Sequence, residues 1–225
     1  MLAHTLTVDG RKLKKGYALN ADDIAALKTA GVTSVTGAHL RSGDVTEDAA
    51  ASAVAALLGG PNTQMRKAYT GRCNLHATAH GVLVVDVEAI IRTNLIDESV
   101  TIGTLPPWST VRKGQVIATV KIIPLGVNPN VIESCRSALV TAPLHVAKLT
   151  AQRIALIFSE LPGLTENAIA ATRVATHQRI EALGSRIALE LRCPHTPSDI
   201  EFALRQAHAA GCELIMIRGA AGTKD

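Results

Sequence analysis

The sequence predicts an α/β protein: an N-terminal α+β domain rich in β-strands, followed by a partial α/β domain built on a parallel sheet. Three observations predict this. The chain has 225 residues, 47% of them apolar and 19% charged, the balance of one large or two modest folded domains. Between Ala68 and Leu125 the apolar residues fall in strand-length runs punctuated by Gly and Pro. Beyond Ala151, strand-like and helix-like stretches alternate across short loops, the pattern of parallel strands joined by helical crossovers.

Each element has a local reason. Asn20 is an N-cap type directly before Ala21-Asp22-Asp23-Ile24-Ala25-Ala26-Leu27, and Gly31 is a helix stop, so a short helix is expected there. Val32 to Val35 reads as a strand. Asp44 to Asp48 places acidic residues at the start of an alanine-rich helix running to Leu58, where the helix dipole favours them, and Gly59-Gly60-Pro61 ends it. Gly81 to Val87, Val100 to Thr104 and Val116 to Ile123 read as strands. Val131 to Leu139 is helical, and Thr141-Ala142-Pro143 follows as linker. In the last part, Arg153 to Phe158, Arg186 to Leu191 and Glu213 to Ile217 read as strands, with helices over Glu166 to Leu183 and Thr196 to Ala210. The expected division is an N-terminal domain over residues 1–127, a helical linker over 128–150 and an α/β domain over 151–225.

Composition excludes several classes. The net charge of +4 is spread along the chain, which implies a weak preference for anions but no nucleic-acid-binding arm. Two Phe, two Tyr and one Trp offer little surface for stacking bases. No apolar run reaches the roughly 18 residues of a membrane span, and Met1-Leu2-Ala3-His4 lacks the features of a signal peptide, so a cytoplasmic protein that binds neither membrane nor nucleic acid is expected. Cys73, Cys135, Cys193 and Cys212 form no C-x-x-C pair and are expected to be free thiols.

Three loops fall after predicted strands of the last part: Ser159-Glu160-Leu161-Pro162-Gly163, Cys193-Pro194-His195-Thr196 and Gly219-Ala220-Ala221-Gly222-Thr223-Lys224-Asp225. In an open parallel sheet, ligands sit beyond the carboxyl ends of the strands, where small residues let backbone N–H groups approach an anion. Cys73, His76 and His80 would converge on a metal only in a helix. Gly71 and Gly81 bracket them and a strand follows, so they are expected to point apart. Lys121, alternating with Val120 and Ile122, is expected on an exposed sheet face. Neither Ser134 nor Ser159 has a nucleophile-elbow context, and no phosphate-binding P-loop or G-x-G-x-x-G fingerprint is present.

Several segments carry a family resemblance: Leu13-Lys14-Lys15-Gly16-Tyr17-Ala18-Leu19 with Asp23-Ile24 and Leu27, Gly31-Val32, Gly43-Asp44-Val45-Thr46-Glu47-Asp48-Ala49-Ala50, Thr70-Gly71-Arg72-Cys73-Asn74-Leu75 and Ala118-Thr119-Val120-Lys121-Ile122-Ile123-Pro124. They extend over most of residues 1 to 125. On these the chain resembles the molybdopterin-binding proteins of molybdenum-cofactor biosynthesis, related to the molybdate-inserting molybdopterin molybdenumtransferase. Residues 151–225 resemble the first half of that family's molybdopterin-binding domain, with Ala-Ala in a loop where the enzymes usually carry Gly-Thr or Gly-Gly. The resemblance implies molybdopterin and magnesium as cofactors. Ser159, Glu160, Gly219, Ala220, Gly222, Thr223 and Lys224 would bind the pterin and its phosphate, and Asp225 would be the catalytic and metal-holding carboxylate. It further implies an activity like the transferase's, an apo-molybdoenzyme as client, and a homo-oligomer in which a partner subunit or further chain covers the sheet edge. Two other functions fit the same residues: a non-catalytic module assisting molybdoenzyme maturation, and an unrelated mononucleotide-binding protein.

Overall fold

The computed structural model describes residues 1–8, 10–161 and 165–219. The chain divides into two compact units, Met1–Lys148 and a second that begins at Leu149.

The first unit opens with a hairpin of β1 (Leu6–Val8) and β2 (Arg11–Leu13), followed by α1 (Ala21–Thr29). Asn20 caps α1 as its residue type predicts: its side chain accepts from the Asp23 N–H at 2.8 Å, and Asp23 returns the bond to the Asn20 N–H at 3.1 Å. Next come β3 (Val45–Thr46), α2 (Glu47–Leu58), β4 (Thr63–Met65), β5 (Arg72–Ala77) and β6 (Gly81–Val85). Then follow α3 (Val87–Asn94), β7 (Val100–Thr104), β8 (Thr110–Val111), β9 (Val116–Ile122), β10 (Gly126–Val127), α4 (Pro129–Ala138) and β11 (Leu144–Lys148). The main sheet is antiparallel in the order β4-β5-β9-β7. A second has the order β11-β6-β8, and β3 pairs with β10.

The alanines of α2 explain its position. Ala50, Ala51, Val54, Ala55 and Leu58 recur at helical spacing, are all buried, and bring the helix close against the inward residues of β5 and β9, including Cys73, Leu75, Ala118 and Val120. Each large apolar side chain buried there contributes about 1.5–3 kcal/mol relative to exposure.

Three expectations change. Val32 to Val35 forms no strand, because among the described residues none pairs with it; nearby, Gly37 makes an isolated bridge to Leu2. The strand expected to reach Val87 ends at Val85. There Asp86 accepts from the Ala89 N–H at 3.0 Å and starts α3. Residues 128–150 are not a linker: Ile132 and Cys135 of α4 are in the core, and β11 pairs along its length with β6, ending at Lys148.

The second unit is of the α/β class. It contains β12 (Arg153–Glu160), α5 (Glu166–Ala182), β13 (Arg186–Pro194), α6 (Pro197–Ala209) and β14 (Leu214–Arg218). Its sheet is parallel in the order β13-β12-β14. Ile154 to Ser159 are all buried, as a central strand covered on both faces requires. Ala155 and Ile157 pack with Ala203 and Ala207 of α6, while Leu156 and Phe158 pack with Ile169 of α5, so the helices lie on opposite faces. At the edge, Leu214, Met216 and Ile217 of β14 stay exposed. Among the described residues, no helix is long and apolar enough to cross a membrane.

Candidate functional site at the carboxyl edge of the parallel sheet

Parallel pairing sets Ser159 opposite Cys193 and Glu160 opposite Pro194, so both strands end at the same level. The chain after β13 is anchored there by the His195 N–H, which donates to the Glu160 carbonyl at 3.0 Å. Thr196 then caps α6, accepting from the Asp199 N–H at 3.2 Å, and Pro197 occupies the first helical turn, where its missing N–H costs nothing.

Ser159 and Glu160 point to different sides, as neighbours on a strand must. Ser159 is buried, and its Oγ lies 2.5 Å from Nδ1 of His195, whose residue is exposed. This contact fixes the imidazole plane and leaves Nε2 directed away from the serine. Glu160 is gripped by the Arg192 guanidinium, which contacts both of its carboxylate oxygens, Oε1 through Nε and Oε2 through Nη2 at 3.1 Å. The same guanidinium bonds Glu166 through Nη2 at 2.7 Å and Nη1 at 3.1 Å. Hydrogen bonding and charge from Arg192 hold the Glu166 carboxyl below its usual range, and Glu166 and Glu160 together push the Arg192 pKa up. With two carboxylates on one guanidinium, Arg192 is a neutralised clamp and not a free anion anchor.

A cavity of about 560 Å³ lies elsewhere, in the first unit; the one here measures about 490 Å³ and is lined by Glu160, Leu161, Arg192, Cys193, Pro194, His195 and Thr196. Gly219, directly after β14, lies beside it, since a Cβ added there would meet His195 Cε1 at 3.7 Å. Leu161 and Pro194 give an apolar wall, Glu160 an acceptor and His195 a ring nitrogen. Burial, with Asp199 and Glu160 nearby, pushes the Cys193 thiol up, so it stays protonated and unreactive at neutral pH.

Among the residues expected to bind, Glu160 lines the cavity, Ser159 reaches it only through His195, and Gly219 lies beside His195. Ala220, Gly222, Thr223, Lys224 and Asp225 lie outside the described residues. His195 and Arg192 are the residues a sequence reading passes over. His195 stands in one of the three post-strand loops, but its bond to Ser159 depends on strand register and leaves no local signal.

Cys73 and His76 lie on the extended strand β5, while His80 falls in the bend between β5 and β6. Cys73 is fully buried with Sγ on the Arg66 carbonyl at 3.1 Å, and His76 is on the other face with Nδ1 2.8 Å from the Gly114 carbonyl. No group of three His, Cys, Asp or Glu among the described residues could hold a metal ion. Lys121 is half-buried and not on an open face; its Nζ donates to the Thr70 carbonyl at 2.7 Å. All four cysteines are free. No protein-family model, no curated protein and no solved structure matches this chain.

Proposed function

We propose that the chain binds molybdopterin or its adenylated form at the carboxyl edge of the β13-β12-β14 sheet, and so serves synthesis, insertion or delivery of the molybdenum cofactor. The observation that carries the reading is the cavity of about 490 Å³ at the carboxyl ends of β12 and β13, with Gly219 beside its His195. Ligands of open parallel sheets bind there because loops leave the central strand and its neighbour on opposite faces, opening a crevice between them. The donor set suits a flat, N–H-rich heterocycle: the Glu160 carboxylate accepts from ring N–H groups while Leu161 and Pro194 exclude water.

His195 Nε2, directed away from Ser159, would meet the phosphate, with Gly219 beside it. Asp225, outside the described residues, would hold a magnesium ion against that phosphate. The bound cofactor would pass to an apo-molybdoenzyme, with the exposed β14 edge covered in a homo-oligomer.

The test is direct. Protein purified from cells that make the cofactor is denatured, and the released pterin is oxidised and quantified by fluorescence; a stoichiometric signal is expected. Glu160→Gln and His195→Ala should each lower the retained pterin several-fold. Absence of pterin, with ATP or GMP bound at the same edge, would replace this reading with a mononucleotide-binding one.

A further inference from the structure

We infer that the first unit carries a second ligand site, for a phosphorylated small molecule with a flat ring, about the size of a mononucleotide. It is independent of the pterin reading. The site is the cavity of about 560 Å³ lined by Lys12, Lys14, Lys15, Thr46, Tyr69 and Thr70, with Glu47 and Asp48 in its wall. That volume is in the range of small-molecule sites, roughly 300–1,000 Å³.

Charge decides the class of ligand. Leu13 is buried, and the lysines on either side of it, Lys12 and Lys14, both line the cavity and are exposed. Neither forms an ion pair with a carboxylate among the described residues. Of the two acidic groups of the wall, one is paired with a cation and the other is held by a backbone donor. The buried Glu47 carboxylate accepts from Lys15 Nζ at 3.2 Å, and Asp48 Oδ1 accepts from the Gly71 N–H at 2.7 Å. With Lys15 set against Glu47, Lys12 and Lys14 still outweigh the single charge of Asp48, so the lining keeps a positive excess that draws in a phosphoryl group.

Geometry supplies the ring platform. Tyr69 and Arg72 exchange both backbone hydrogen bonds, closing a two-residue turn in which Thr70 and Gly71 have φ of 50° and 69°. A β-branched residue at positive φ is strained, and it persists because the turn is tied down from outside. Lys121 Nζ holds the Thr70 carbonyl, Asp48 holds the Gly71 N–H, and the Ile122 N–H donates to the Gly71 carbonyl at 2.7 Å. The Tyr69 ring, 73% exposed, is thus presented at the cavity from a rigid tip, and a flat ring can stack on it without any ordering of the backbone.

The experiment is calorimetric titration of the full chain, carrying Arg192→Ala and His195→Ala to disable the other edge, with adenosine 5′-monophosphate and, separately, inorganic pyrophosphate. Both ligands are expected to bind one per chain, with affinity falling as salt is raised. The exposed double variant Lys12→Ala/Lys14→Ala should weaken both at least tenfold. Tyr69→Ala should weaken the monophosphate at least threefold and leave pyrophosphate unchanged. Lys113→Ala, on an exposed turn that does not line the cavity, should change neither. Unchanged monophosphate affinity in either the double-lysine or the Tyr69 variant overturns the inference, and so does an equal loss with Lys113→Ala.

Discussion

Ser159 and Glu160 are adjacent and do different work, one holding His195 from the interior and the other facing the cavity. Ser159→Ala removes the partner of Nδ1 and should cost about 1 kcal/mol of stability, the usual net worth of a hydrogen bond. The 15N shifts of the His195 ring should move with the substitution, and an unchanged spectrum would show that the serine does not set its tautomer. Asp23 is a second residue-scale case. The backbone bond at Asn20 holds its carboxyl below the usual range; burial works against this, and Tyr17 and Arg11 add to the lowering. Because the folded-state pKa is depressed, the stabilisation is present above the unfolded value of about 4 and is lost as pH falls through the folded value. Thermal denaturation from neutral pH down to about pH 2 should therefore show an acid limb that is shallower in Asp23→Asn. Asn20→Ala should cost about 1 kcal/mol through loss of the cap.

At the scale of elements, two glycines at positive φ separate backbone strain from steric conflict. Gly31, with φ of 76°, has nothing within 4 Å of an added Cβ, whereas at Gly71, with φ of 69°, the added atom would lie 2.8 Å from the Ile122 carbonyl and 2.9 Å from Glu47 Oε2. Gly31→Ala should cost about 1 kcal/mol and Gly71→Ala distinctly more, about 2–4 kcal/mol, because the β5–β9 ladder must also shift. Equal losses in urea denaturation would refute this reading of the turn. Helix α1 was legible because Asn20 and Asp23 lie three residues apart, and α2 because its small residues recur at helical spacing. Helix α3 was not. Its cap, Asp86, follows the apolar run Gly81–Val85 without a break, and Val87 extends that run past the strand's end.

For the whole molecule, the division lies between Lys148 and Leu149. Limited trypsin digestion should cut first after Lys148, leaving the α4–β11 stretch protected, and an early cut after Arg136 would show that α4 is not held in the core of the first unit. The sequence by itself determined the α/β class, the alternation from β12 to β14 and the capped α1, since propensity, capping and periodicity act within a few residues of the chain. Only the tertiary structure decided that 144–148 is a strand, that 32–35 is not, that Ser159 meets His195, and that Lys12, Lys14 and Tyr69 line one cavity. Each of these depends on a partner distant in sequence. Strand pairing and cavity walls are set by register and packing between elements, and no local pattern of residues records which distant segment will be opposite.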